Sequence, residues 1–215
     1  MPELALPLAH QFDGLEQQHE AGWLGMWIFL ATEIMFFGGM FTGYAVYRSV
    51  YPGVFADASQ KLEVALGATN TIVLICSSLT MALAVHAAQV GRRRTLVGFL
   101  LATMALGLVF LGIKGIEYAH KFEHHLVPGS SFVYADRYAR DAQVFFSFYF
   151  AMTGMHALHM VIGIGLLAVL VARAWRGAFS PQHHAAVELT GLYWHFVDII
   201  WIFLYPLLYL IDRHA

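Results

Sequence analysis

The chain has 215 residues, of which 59% are hydrophobic and only 12% are charged, about half the charged share of an ordinary soluble domain. So few charges cannot cover a water-facing surface, which excludes a soluble globular protein and favours an integral membrane protein. The formal net charge is −2, so the composition gives no sign of a nucleic-acid-binding surface.

The amino-terminal region is polar and acidic. Residues 1–21 contain Glu3, Asp13, Glu16 and Glu20 but no Lys or Arg, the opposite of a secretory signal and too acidic for a transit peptide. We therefore expect a polar amino-terminal tail over residues 1–21, one transmembrane domain over 22–211 and a short tail over 212–215.

Five segments are apolar and long enough to cross a bilayer core of about 30 Å as helices. They cover about residues 22–47, 66–88, 95–118, 143–172 and 188–211, and Pro52-Gly53 predicts a turn after the first. Each helix satisfies its own backbone groups, as a lipid solvent requires. The predicted fold class is all-α, a polytopic bundle of five transmembrane helices with mostly antiparallel neighbours.

Arginines in two short loops indicate the orientation. Arg92, Arg93 and Arg94 follow the second span, and Arg173 and Arg176 follow the fourth. Because cytoplasmic loops are enriched in Lys and Arg, we expect these loops and the amino terminus in the cytoplasm, with the carboxyl terminus on the other side.

Other residues point to packing or anchoring. Aromatic side chains near span ends predict interfacial anchors: Trp23, Trp27, Trp175, Tyr193 and Trp194. The glycines of Gly38-Gly39 and Gly163-Ile164-Gly165 predict close helix packing. Cys76 lies in an apolar segment, where we expect a buried, inert thiol.

Glu33 is the most informative single residue. It lies about ten residues into the first span, hence about 15 Å deep, between Phe29-Leu30-Ala31-Thr32 and Ile34-Met35-Phe36-Phe37. An intramembrane acid is by default a functional site, here for a proton or a lipid headgroup. The alternative is a packing residue hydrogen-bonded to another helix.

Lys114 and Glu117 stand three residues apart near the end of the third span. This spacing predicts a local, structural ion pair. The position also allows Lys114 to extend its ammonium to the membrane interface.

Four further polar residues lie within the last two spans. His156 and His159 are one helical turn apart, a spacing that can chelate a metal, and His195 and Asp198 share one face of the fifth span. However, no cysteine or second acid reinforces this set, and histidines in bundles also hydrogen-bond between helices. We interpret all four as structural polar residues and assign no metal site; a stand-alone His-ligated membrane metalloenzyme is the alternative.

A basic rim follows the fourth span, formed by Arg173, Arg176 and the pair His183-His184. At a membrane surface, guanidinium groups can bind a phosphate headgroup bidentately. The alternative is that these basic residues only mark the cytoplasmic side of the membrane.

Several stretches together resemble one family, subunit III of the haem–copper respiratory oxidases, which use cytochrome c or quinol. The matching stretches are residues 32–37 (Thr-Glu-Ile-Met-Phe-Phe), 116–118 (Ile-Glu-Tyr), 154–159, 183–184 and 193–205. They follow the family's order across nearly all of residues 20–211.

The resemblance implies a subunit without haem or copper of its own, which accompanies the subunit I that reduces oxygen to water and pumps protons. Family members bind phospholipid in a V-shaped cleft, support proton uptake and protect the complex from inactivation during turnover. Glu33 matches the family's carbodiimide-reactive acid near that cleft. Arg173, ten residues before His183, matches an arginine that contributes to headgroup binding.

The chain departs from the longer family members in two respects. Many have seven spans, whereas this sequence begins at their third and is similar to the five-helix bacterial form, located in the bacterial inner membrane. In that form, an extended subunit I is expected to supply the missing pair. Thr42 and Val46 stand where longer members have tryptophan and histidine. A similar accessory subunit of a nitric-oxide reductase is a further alternative.

Overall fold

The computed structural model describes residues 11–130, 132–134 and 139–211 of the chain. Its described part contains six helices, α1 (Leu15–Val50), α2 (Pro52–Gln60), α3 (Val64–Gln89), α4 (Arg93–Glu123), α5 (Ala139–Trp175) and α6 (Ala185–Tyr209). All except α2 contain a stretch long and apolar enough to cross a membrane. The predicted fold class, an all-α protein with five membrane spans, is therefore confirmed.

The long helices α1, α3, α4 and α5 extend beyond the predicted apolar segments at both ends, whereas α6 begins earlier, at Ala185, but ends at Tyr209. Helix α1 has 36 residues, about 54 Å at 1.5 Å per residue, which exceeds a bilayer core of about 30 Å. It begins at Leu15, so part of the expected amino-terminal tail is helical. Residues 1–10 of the predicted amino-terminal tail and all of the predicted tail over 212–215 lie outside the described residues.

The short helix α2 differs from the expected turn at Pro52-Gly53. Pro52 occupies its first turn, where the missing proline N–H removes no hydrogen bond. Phe55 is fully buried and its ring lies 5.2 Å from that of Tyr44 and 5.4 Å from that of Phe145. The proline therefore starts a helix that packs back onto α1 and α5.

Helices α3 to α6 form a four-helix bundle, with α1 on its outside. Helix α3 packs most extensively against α4, α4 packs against α5, and α6 contacts both α3 and α5. Helix α1 packs against α5 and α6. It runs parallel to α6, because Gly22 lies beside Leu189 and, farther along both helices, the Tyr44 hydroxyl donates to the Leu207 carbonyl at 2.7 Å. The outer face of α6 is thus flanked by α1 and α3.

Two tryptophans of α6 form the centre of the bundle core. Trp194 and Trp201 are fully buried, and their indole N–H groups donate to Ser77 Oγ at 2.9 Å and Thr71 Oγ1 at 3.1 Å on α3. A buried indole usually finds such a partner. Tyr193 is also buried, at 3% exposure, so the prediction that Trp194 and Tyr193 anchor the membrane interface was wrong.

The cysteine and glycine predictions have mixed outcomes. Cys76 is exposed on the outer side of α3, so the expectation of a buried thiol was wrong. Gly163 packs closely, since a Cβ there would lie 2.8 Å from the Trp194 ring. A Cβ at Gly38, Gly39 or Gly165 would meet nothing within 4 Å in the described part of the chain, so close packing does not explain these three.

Candidate functional site

The buried polar side chains lie at different places in the bundle. Glu33 of α1 faces His159 of α5, with 3.2 Å between Glu33 Oε2 and His159 Nε2. The Glu33 side chain remains 19% exposed, whereas that of His159 is 9% exposed. This carboxyl–imidazole pair is therefore enclosed by the bundle but reachable from outside it.

The second ring nitrogen of His159 determines the proton count of the pair. His159 Nδ1 lies 2.8 Å from the carbonyl oxygen of Met155. A carbonyl can only accept, so Nδ1 carries a hydrogen and donates it. The contact between Nε2 and Glu33 Oε2 then needs one further proton, because a neutral imidazole and a carboxylate would present two acceptors to each other. A hydrogen bond between the two side chains therefore needs one proton, on either His159 Nε2 or the Glu33 carboxyl.

Lys114 and Glu117 form a second polar group with Tyr149 of α5 and Tyr209 of α6, here called the lysine cluster. Lys114 Nζ donates to Glu117 Oε2 at 2.9 Å, to Tyr149 Oη at 3.1 Å and to Tyr209 Oη at 2.6 Å. Both tyrosine hydroxyls donate to Glu117 Oε1, at 2.9 and 2.7 Å. All three ammonium hydrogens are thus used, and the cluster is closed.

Lys114 lies in the bundle interior. Its side chain is 3% exposed and that of Glu117 is 0% exposed, and the ammonium lies 4.8 Å from the Tyr149 ring centroid and 5.1 Å from that of Trp201. It therefore does not extend to the membrane interface, since the ion pair and the aromatic rings hold it inside.

His156 points away from its neighbour in the sequence motif. Its ring packs 5.3 Å from Phe110 and 5.2 Å from Trp201. Neither ring nitrogen has a hydrogen-bond partner among the described residues. The two histidines of the motif thus enter different surroundings, His156 among aromatic rings and His159 beside Glu33.

His195 and Asp198 face α3 at what we call the α3–α6 site, together with Ser78. Ser78 Oγ and His195 Nδ1 are 2.7 Å apart, and Asp198 is 3% exposed. Within residues 11–130, 132–134 and 139–211, no three His, Cys, Asp or Glu side chains converge closely enough to hold a metal ion. The geometry therefore gives the metalloenzyme alternative no support.

Arg173 borders a pocket of about 490 Å³ between the start of α1, the end of α5 and the start of α6. Its guanidinium lies 5.3 Å from the centroid of the Phe179 ring, and His19 and His183 also line the pocket. Glu16 is an acidic residue that lines the same pocket. His184 turns away from it and contacts Glu188 at 3.1 Å.

Sequence reasoning missed Tyr149, Tyr209 and Ser78. Tyrosine and serine are common in membrane spans, and nothing in the local sequence distinguishes these three. For Tyr149 and Tyr209 the only signal is indirect, because a buried Lys–Glu pair leaves hydrogen-bonding positions that hydroxyl-bearing residues on neighbouring helices must fill.

The fold and these groups define a class: a five-span integral membrane protein whose described interior holds ionisable side chains but no converging set of metal ligands. A family model described as cytochrome c oxidase subunit III matches residues 19–212. The chain belongs to the cytochrome c oxidase subunit III family, which confirms the resemblance in the sequence.

Relatives from distant organisms are similar over most of the chain. The cytochrome c oxidase subunit 3 of Synechocystis sp. is 35% identical over 87% of this chain and 74% of its own length. The protein of that name from Thermostichus vulcanus is 34% identical over 88% of this chain and 87% of its own length. The cytochrome c oxidase subunit 3 of Gallus gallus is 34% identical over 86% of this chain and 67% of its own length.

Proposed function

We propose that this chain is the accessory subunit III of a proton-pumping terminal oxidase that reduces oxygen to water. It docks on subunit I in a bacterial inner membrane, with its amino terminus in the cytoplasm. The haem and copper of the reaction are held by partner subunits. The observation that carries this proposal is the family match over residues 19–212.

The chain supports proton uptake through Glu33 and His159. The pair holds one exchangeable proton, because His159 donates from Nδ1 to Met155 and faces Glu33 with Nε2. Moving that proton between carboxyl and imidazole changes the charges of the two groups without changing their total charge. Partial exposure of Glu33 supports exchange with a proton donor outside the bundle. We infer that the pair collects protons that subunit I consumes or pumps.

The chain also binds phospholipid along the seam between α1 and α6. The Arg173 pocket offers a guanidinium and two imidazoles to a phosphate, which arginine binds bidentately. Farther along the same helices, an apolar groove of about 510 Å³ is lined by Trp27, Ile34 and Phe203 among others. This groove accommodates an acyl chain, so headgroup and tail would occupy different depths of one seam.

The experiment that tests the proposed function removes this chain from the purified oxidase. We expect the depleted complex to retain its initial rate of oxygen consumption but to lose activity in fewer turnovers and to release fewer protons per electron. Restoring the chain should reverse both losses. A depleted complex with unchanged lifetime and proton yield would contradict the supporting role.

A further inference from the structure

Asp198 is a buried acid with unfilled hydrogen-bonding positions. It is 3% exposed, and in the described part of the chain its carboxyl group has at most one donor nearby, the Ser78 hydroxyl. Burial of an acid without partners is strongly unfavourable. The lysine cluster shows the contrast, because there every ammonium hydrogen has an acceptor.

The two polar neighbours of Asp198 cannot fill all of its hydrogen-bonding positions. Ser78 and His195 line the same groove, but Ser78 Oγ is engaged with His195 Nδ1 at 2.7 Å. If the imidazole donates to Ser78, the serine hydroxyl is free to turn towards Asp198. A carboxylate has about four acceptor positions, so most of them stay open even then. No other described residue fills the remaining positions, which leaves them open to a partner helix.

The groove between α3 and α6 offers the space for such a donor. It has a volume of about 310 Å³, and its other lining residues are apolar. Leu79 and Ile202 on its two sides are 61% and 47% exposed. An outward-facing apolar groove with one unsatisfied acid matches the surface that a second transmembrane helix covers.

The depth of Asp198 excludes a lipid headgroup as the donor. The residue lies near the middle of α6 (Ala185–Tyr209), about 17 Å or more from either helix end. Acyl chains at that depth carry no hydrogen-bond donor. On a second copy of this chain, the outward-facing hydroxyls of Thr32 and Thr42 are already engaged, because they bond carbonyls of their own helix at 2.7 and 2.8 Å.

We propose that the α3–α6 groove is a docking face for a transmembrane helix of another oxidase subunit, which presents a hydrogen-bond donor to Asp198. A hydroxyl, amide or indole N–H at mid-membrane depth fits the site. The inference rests on the proposed function only in assuming a multi-subunit complex. It adds which face of this chain is covered and which residue selects the partner.

The test places a photoreactive amino acid at Leu79 or at Ile202 in the complete complex, leaving Asp198 unchanged. Both positions should crosslink to one transmembrane segment of a partner subunit. Leu108, which is 53% exposed on α4, is the control position and should not reach that segment. Crosslinks to lipid alone, or to a second copy of this chain, would overturn the proposal.

A second measurement tests the role of Asp198 itself. Asp198→Leu should lower the crosslinking yield at Leu79 about tenfold, since loss of one member of a buried hydrogen-bonded pair weakens association by at least that factor. Asp198→Asn keeps an acceptor and should retain most of the yield. Equal yields in all three proteins would overturn the proposal. Failure of the unaltered chain to purify with any other subunit would instead contradict the proposed function.

Discussion

Glu33 on α1 and His159 on α5 meet across 3.2 Å between Oε2 and Nε2, and a hydrogen on the other nitrogen of His159 is directed to the Met155 carbonyl. This arrangement requires one shared proton between carboxyl and imidazole. It distinguishes Glu33 from Glu117, which accepts from a lysine and two tyrosines in a closed cluster. The two acids therefore lie in different surroundings, one partly exposed beside an imidazole and the other in a closed, buried cluster.

The first prediction concerns Glu33→Gln, which removes the exchangeable proton but keeps the shape of the side chain. The oxidase should retain its initial rate of oxygen consumption, while proton release per electron falls or inactivation requires fewer turnovers. Proton release by reconstituted vesicles measures the proton yield per electron. Oxygen consumption followed over many turnovers measures the rate of inactivation. Glu123→Gln, at an exposed site on α4, is the control. Unchanged pumping, lifetime and bound lipid would make Glu33 a packing residue.

The second prediction concerns coupling between the two residues. Because Glu33 and His159 hold one proton together, either Glu33→Gln or His159→Gln should abolish its exchange. The double variant should then be no worse in proton yield than the worse single variant, the non-additivity expected of contacting residues. Proton yield measured on the same vesicles checks this. Losses that add would mean that the residues act separately.

The third prediction concerns the lysine cluster. Lys114→Met should destabilise the subunit by about 3–5 kcal/mol, because it leaves Glu117 buried without its cation. A double variant, Lys114→Met with Glu117→Leu, removes both charges and should recover part of the stability. Thermal denaturation of the detergent-solubilised complex gives the midpoints of the unaltered protein, the single variant and the double variant, whose order tests the prediction. A double variant less stable than the single variant would contradict a structural ion pair.

The fourth prediction compares two glycines of one motif on α5. An Ala methyl at Gly163 would lie 2.8 Å from the Trp194 ring, whereas one at Gly165 meets nothing within 4 Å. Gly163→Ala should therefore cost about 1–3 kcal/mol through overpacking. Gly165→Ala should be neutral or slightly stabilising, since alanine favours a helix more than glycine does. Equal denaturation midpoints would show that the bundle accommodates the methyl group.

The fifth prediction concerns Arg173. Arg173→Gln should reduce the phospholipid that remains with the purified complex, because the pocket loses its guanidinium. Arg176→Gln is the matched control, since Arg176 is exposed and does not line the pocket. Native mass spectrometry counts the lipids that each variant retains. An equal lipid loss in both variants would indicate general surface charge rather than a headgroup site.

The sequence sufficed for the five spans because membrane length and hydropathy are local properties. It did not suffice for α2, whose 9 residues are too few for a periodic pattern to be distinctive. Contacts between side chains on different helices could not be predicted from the sequence. Glu33 and His159 are 126 positions apart, and Glu117 and Tyr209 are 92 positions apart. Such contacts depend on the rotation and register of each helix. Trp194 shows the same limit, since an aromatic near a span end suits an interface or a core equally well.

The most direct test of the central claim is purification of this chain from native membranes in mild detergent, followed by an optical spectrum and metal analysis. The account predicts that a large partner subunit carrying haem and copper accompanies the chain and consumes oxygen. Recovery of the chain alone, or with a partner that reduces nitric oxide and lacks copper, would contradict it.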